Sequence, residues 1–156
     1  MKKLLIIWLF SAYAFFSNAQ GGVMLEAGGP AGYFSVNYML PMSTPSGRLE
    51  PRIGFGTYRL TGVTGNFRPD IIVPIGFSST IRWVKRLWIG AGITVSGIQR
   101  YEGNELKTDW SVAGFESVSY RFLDKEHFAA NVTAYVLNEP QKPFRPWGGL
   151  SFTYQF

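Results

Sequence analysis

From residue 21 onward, apolar and polar side chains alternate along the chain, and clusters of turn-forming residues interrupt the alternation at short intervals. A period of two places successive side chains on opposite faces of a strand, whereas a helix needs one near 3.6. No helical period is sustained after the first twenty residues, so the pattern predicts an all-β chain. Eight runs carry it: Gly22–Gly28, Gly32–Leu40, Arg48–Leu60, Asp70–Trp83, Leu87–Ile98, Thr108–Phe122, Phe128–Leu137 and Trp147–Phe156. Most match the ~9–11 residues with which a tilted strand crosses a bilayer, the first being the weakest. An even number of crossings leaves both ends of the domain on one side.

The intervening segments alternate in character. Pro41–Gly47, Val84–Arg86 and Leu123–His127 fall on one side, and Gly29–Ala31, Thr61–Pro69, Gln99–Lys107 and Asn138–Pro146 on the other. Three of the second set are long and polar. Short turns at one end and long loops at the other fit an up-and-down barrel in a membrane. The tiny first outer loop and the long first inner turn depart from that habit.

Within the last run, Leu150, Phe152, Tyr154 and Phe156 share one face, and Gly149, Ser151, Thr153 and Gln155 share the other. The fifth run sets Leu87, Ile89, Ala91, Ile93 and Val95 against Trp88, Gly90, Gly92, Thr94 and Ser96. The fourth sets Ile71, Val73, Ile75, Phe77 and Ile81 against Pro74, Gly76, Ser78, Thr80 and Arg82. Alternation alone fits two arrangements, a soluble barrel with the oily face inside and a membrane barrel with it outside. Small side chains dominate the polar face, as the crowded interior of a narrow barrel requires, and a solvated surface would carry more Lys and Glu.

Glu26, Glu50, Arg52 and Arg82 all fall opposite the apolar stripe, so they are expected to meet inside as a lumen charge network. Buried charges persist only when paired and hydrogen-bonded. The alternative, a soluble barrel, leaves the same residues in water. The sixth run breaks the scheme, because Trp110, Val112, Val118 and Tyr120 on lipid would put Glu116 there too. A carboxylate in hydrocarbon is costly. A bulge near Gly114 that turns Glu116 into the lumen network is therefore expected.

The first residues alter the picture of where the chain resides. Lys2 and Lys3 precede an apolar run from Leu4 to Phe16, followed by Ser17-Asn18-Ala19. That is the layout of a secretory signal peptide, and the run is shorter than the ~20 residues of a membrane-spanning helix. The expected organisation is a cleaved signal over residues 1–19 and one barrel domain over residues 20–156. The chain has no cysteine, so no disulfide, thiolate metal site or lipid-anchored cysteine is available. Without Lys2 and Lys3 the formal charge of +5 falls to about +3, too mild an excess to argue for nucleic acid. The 18 glycines and 17% aromatic content suit close backbones in a small barrel and rings at membrane interfaces.

The ending, Gly148-Gly149-Leu150-Ser151-Phe152-Thr153-Tyr154-Gln155-Phe156, resembles the C-terminal signal of outer-membrane barrels. Those proteins end in Phe after alternating apolar and aromatic positions. The resemblance implies that Leu150, Phe152, Tyr154 and Phe156 are read by the barrel-assembly machinery. The whole pattern resembles the small eight-stranded outer-membrane barrels of the OmpA-barrel and OmpX type, in architecture and ending rather than residue by residue. It implies an all-β, eight-stranded antiparallel up-and-down transmembrane barrel in a bacterial outer membrane. No peptidoglycan-binding domain is expected to follow. The fold does not fix the task, because such barrels include adhesins, structural proteins and lipid-modifying enzymes.

Candidate chemistry is sparse. His127, the one histidine, lies beside Asp124, Lys125 and Glu126 in an expected turn. Lipid A deacylases have a similar architecture and use a His-x-Ser pair, but here the segment reads His127-Phe128-Ala129, so a solvated turn histidine is expected. One histidine, no cysteine and scattered carboxylates give no metal site, and no cofactor is expected. Asn131-Val132-Thr133 matches a glycosylation acceptor by accident of a strand sequence. Gly54-Phe55-Gly56 and Gly90-Ala91-Gly92 lack the strand–loop–helix setting of a phosphate cradle.

Trp83, Tyr101, Trp110, Tyr120 and Phe156 lie near run ends and are expected to form interface girdles. Arg59, Arg68, Arg100, Lys107, Lys142 and Arg145 gather at the loop end among Glu102, Glu105, Asp109 and Glu139. They are candidates for contact with the phosphates of surface lipid, or else for a solvated mixed-charge rim.

The expected function is a structural or surface-interaction barrel without enzymatic activity or a large pore. Its expected partners are outer-membrane lipid, the assembly machinery and an envelope protein. Two rivals remain open. A lipid-modifying enzyme needs an acid, base or nucleophile converging on the outer leaflet, and a soluble lipocalin-like carrier needs Leu150, Phe152 and Ile89 around an apolar cavity.

Overall fold

The computed structural model describes residues 21–45, 47–58, 70–81, 83–102, 105–138 and 144–156. The expected signal segment lies outside them. The strands are β1 (Gly22–Gly28), β2 (Phe34–Met39), β3 (Met42–Thr44), β4 (Gly47–Thr57), β5 (Ile71–Ile81), β6 (Val84–Glu102), β7 (Glu105–Asp124), β8 (Phe128–Asn138) and β9 (Arg145–Gln155). Each pairs antiparallel with its neighbours in one sheet. The sheet closes because β1 pairs with β9 and β2 pairs with β4. The result is a closed eight-stranded antiparallel barrel in which β3 prolongs β2 along β4.

The break between β2 and β3 corrects the expectation of one run followed by a turn at Pro41–Gly47. Pro41 has no N–H to give the ladder, yet the Leu40 N–H still donates to the Pro51 carbonyl at 3.0 Å, so pairing resumes at once. The expected turn at Val84–Arg86 moves in the same way, since Ile81 already faces Val84. The expected outer loop Gln99–Lys107 is instead paired backbone: Arg100 faces Lys107 and Glu102 faces Glu105. Ladder hydrogen bonds do not depend on apolar side chains, so the strands continue past the point where alternation fades. Trp110 lies over Gly97, its ring within 3.0 Å of where a Cβ on that glycine would stand, and this pair marks the upper end of the wall.

The tiny first outer loop needs its glycines. Gly29 adopts φ +101°, and a Cβ there would stand 2.6 Å from the Glu26 carboxyl carbon. No L side chain fits that conformation and that space together. At the other faces of the barrel, Gly92 makes room in the lumen for Phe115, whose ring tip would lie 2.5 Å from an added Cβ.

The polarity of the wall is inverted relative to a soluble barrel. Phe152 and Ile93 are 54% and 47% exposed on the outside, whereas Glu26, Glu50 and Arg121 are 2%, 3% and 2% exposed within. Leu150 and Ile89 also face outward, which removes the apolar lining that a lipocalin-like carrier would need. Of the expected girdle, Trp83, Trp110, Tyr120 and Phe156 are exposed on the outer surface. The side chain of Tyr101 lies outside the described set.

Candidate functional site

The described polar chemistry is concentrated in the lumen, where strand parity sends Glu26 from β1, Glu50 and Arg52 from β4, and Arg121 from β7. Two separate clusters form. In the first, the Glu26 carboxylate accepts hydrogen bonds from the Tyr135 hydroxyl and from the Ser35 hydroxyl at 3.2 Å, and Arg52 Nη1 lies 3.7 Å away. Arg52 Nη2 also donates to the Tyr135 hydroxyl oxygen at 3.3 Å. Its guanidinium lies 5.5 Å from the centre of the Phe115 ring, within cation–π range.

In the second cluster, Arg121 Nη2 donates to both oxygens of Glu50, at 3.2 and 2.9 Å, and Arg121 Nε donates to Asn131 Oδ1 at 2.9 Å. Asn131 passes the chain on to the Ser151 hydroxyl at 3.1 Å. The Arg121 guanidinium also stacks 4.0 Å from the centre of the Trp88 ring. Arg48 Nε approaches Glu50 at 3.6 Å, and Arg48 Nη2 donates to Gln155 Oε1 at 2.8 Å. Glu26 thus has Arg52 with the Tyr135 and Ser35 hydroxyls, and Glu50 has Arg121 and Arg48, the condition under which buried charge is tolerated.

Arg121 and Tyr135 do not feature among the residues that sequence reasoning singled out. Parity was the available signal: Arg121 follows outward Tyr120, and Tyr135 shares a face with Asn131 and Thr133. Glu116 requires a correction. β7 keeps one register against β6 without a bulge near Gly114, and the only β7–β8 irregularity falls between Arg121 and Leu123. Glu116 therefore stays in phase with Val118 and is exposed on the outer wall. Arg82, Arg59, Arg68 and Lys142 lie outside the described residues, as does the side chain of Arg100. Lys107 and Arg145 are exposed at the loop end.

The clusters leave little open space. Between them lies a cavity of about 30 Å³, lined by residues including Glu50, Arg52, Arg121 and Tyr135, room for one or two waters. Above it Phe115, Tyr135 and Leu137, with Trp147 against them, form an apolar plug. A wider vestibule of about 560 Å³ opens at the loop end, between Tyr58, Ser96, Asp109 and Arg145. His127 stands at the turn end, exposed, with Nδ1 3.1 Å from the Gln155 carbonyl oxygen. It ties the last strand to the β7–β8 turn and faces none of the lumen groups.

A closed antiparallel barrel with an apolar outer wall and an ion-paired, obstructed lumen is the class that fold and site define. In keeping with this, the chain is similar to the N-terminal β-barrel domain of Pseudomonas aeruginosa OprF, with 13% sequence identity and a TM-score of 0.61. The likeness covers 89% of this chain and 100% of that one, and at this identity it is a likeness of fold. No protein-family model and no curated protein sequence matches the chain.

Proposed function

We propose that this chain is an integral barrel of a bacterial outer membrane, with a structural or surface-interaction role and neither enzymatic activity nor a general diffusion pore. The observation that carries this reading is the inverted polarity of the wall. Large apolar side chains cover the outside, and Glu26, Arg52, Glu50 and Arg121 are enclosed and paired. Such a surface is soluble only in hydrocarbon. The obstructed lumen supports the absence of a wide channel, and the pairing of the buried charges with each other supports a stabilising rather than a catalytic use of them.

The remaining parts of the reading follow from position. Leu150, Phe152, Tyr154 and Phe156 form an outward stripe on the closing strand, where assembly machinery would read it. Lys107 and Arg145 stand at the rim, where phosphates of surface lipid would meet them. An envelope protein is the third partner class.

Fractionation of the native host tests the proposal. The protein should remain with outer membranes through a carbonate wash and should migrate differently on a gel with and without boiling. In planar bilayers it should produce no porin-sized current steps. Release by the wash without a heat-dependent shift would refute membrane integration, and large current steps would refute the obstructed lumen.

A further inference from the structure

Among the described residues, Glu116 is the one acidic side chain placed amid an apolar outer stripe. The outward positions of β7 run Tyr120, Val118, Glu116, Gly114, Val112 and Trp110, and the four apolar or aromatic ones are exposed. A tilted strand climbs about 2.5 Å per residue. On that scale Tyr120 and Trp110 stand about 25 Å apart, the height of a lipid-facing band, with Glu116 about 10 Å inside it. No described residue offers Glu116 a hydrogen bond or an ion pair.

The wall around Glu116 is hollow. Ala91, Gly92, Gly114, Val136, Asn138 and Phe144 surround it in a depression of about 230 Å³. Packing demands Gly92 but not the glycine at 114, where a Cβ would meet only the Asn138 carbonyl oxygen, at an ordinary 3.8 Å. An unpartnered acid and small residues that admit a close neighbour therefore coincide.

We propose that this depression docks a membrane-spanning segment of another protein that carries a lysine or arginine within its apolar stretch. The inference rests on the membrane reading above. A carboxylate and a basic side chain are each costly alone in hydrocarbon, and contact relieves both, while the small residues let the partner backbone approach. Charge complementarity selects this occupant. A lipid amine would have to descend about 10 Å from the interface. A two-fold contact of a second copy centred here would oppose two carboxylates. Between the levels of Tyr120 and Trp110 no described lysine or arginine of this chain points outward to replace one of them.

The test uses the full barrel in phosphatidylcholine vesicles, labelled with a donor dye at Ser43→Cys, which the cysteine-free chain makes unique. The probes are acceptor-labelled polyleucine membrane-spanning peptides with a central lysine or with leucine in its place. The lysine peptide should associate at least fivefold more tightly than the leucine peptide. Both Glu116→Gln, which removes the charge, and Gly114→Leu, which fills the hollow, should abolish that preference. Equal association of the two peptides would overturn the proposal, as would a lysine preference that survives Glu116→Gln. Self-association of the barrel that is lost in Glu116→Gln, without any lysine preference, would assign the site to a second copy and also overturn it. Protease resistance and heat-dependent mobility report insertion separately: failure of the unsubstituted barrel to insert refutes the membrane reading itself. Correct insertion without lysine preference refutes docking alone.

Discussion

Replacing Arg121 with Met tests whether the lumen pairs hold the barrel together. The substitution removes two hydrogen bonds to Glu50, one to Asn131 and the stacking on Trp88, while a side chain of similar length keeps the volume filled. It leaves Glu50, 3% exposed, with the Arg48 guanidinium at 3.6 Å as its remaining ion pair. Breaking a buried pair on one side costs ~3–5 kcal/mol. Arg48 is 35% exposed and has room to turn toward the carboxylate, which returns ~1–2 kcal/mol of charge-assisted hydrogen bonding. The net loss is about 3 kcal/mol, more than a hundredfold in the folded-to-unfolded ratio. With a urea slope of roughly 1–3 kcal/mol/M, the unfolding midpoint in lipid vesicles falls by roughly 1–3 M, read by the heat-dependent gel shift. Adding Glu50→Gln to Arg121→Met should recover part of the loss, because the stranded charge disappears. A single variant as stable as the parent, or a double variant weaker than the single one, would refute the reasoning.

Three further outcomes follow from the same geometry. Arg52→Met should cost less than Arg121→Met, about 1–2 kcal/mol by the same urea assay, because the Tyr135 and Ser35 hydroxyls still hold Glu26. Gly29→Ala should lower stability by more than ~2 kcal/mol, since it combines a strained φ with a clash against Glu26, and a near-neutral value would contradict the packing of that turn. Glu116→Leu should stabilise the isolated barrel in vesicles by ~1–2 kcal/mol, less than the gain for removing a lipid-facing basic residue, and a loss of stability would place that side chain in a polar setting.

The alternation that makes the wall also made it readable. Every second residue from Leu150 to Phe156 is large and apolar, so the face of the last strand follows directly, and the faces of β5 and β6 follow from a similar alternation. The misplaced features have local causes. Ladder pairing beyond Gln99 leaves no trace in side-chain polarity, and the Pro41 interruption looks like a turn until the Leu40 hydrogen bond is known. In β7 the cost of a carboxylate in hydrocarbon and strand parity point opposite ways for Glu116, and parity prevails. The phase of Tyr120 and Val118 places Glu116 outside and Arg121 in the lumen. Tyr135 escaped notice for a related reason: an aromatic ring in a membrane strand invites a lipid-facing role, yet its neighbours Asn131 and Thr133 share its inward face.

Among the described residues, the long β6–β7 hairpin extends beyond its lateral neighbours β5 and β8. β5 pairs with β6 only up to the level of Gly97, and β8 pairs with β7 only as far as Gly114. Over Ile98–Glu102 and Glu105–Asp109 the two strands have only each other among described partners, and two-stranded ribbons are marginal in water. Backbone amides from Glu105 to Asp109 should therefore exchange with deuterium far sooner than those near Val118, which sit between two partners. The described wall is thus graded in its restraints, most tightly held where buried ion pairs and two flanking strands coincide and least along the far part of the β6–β7 hairpin.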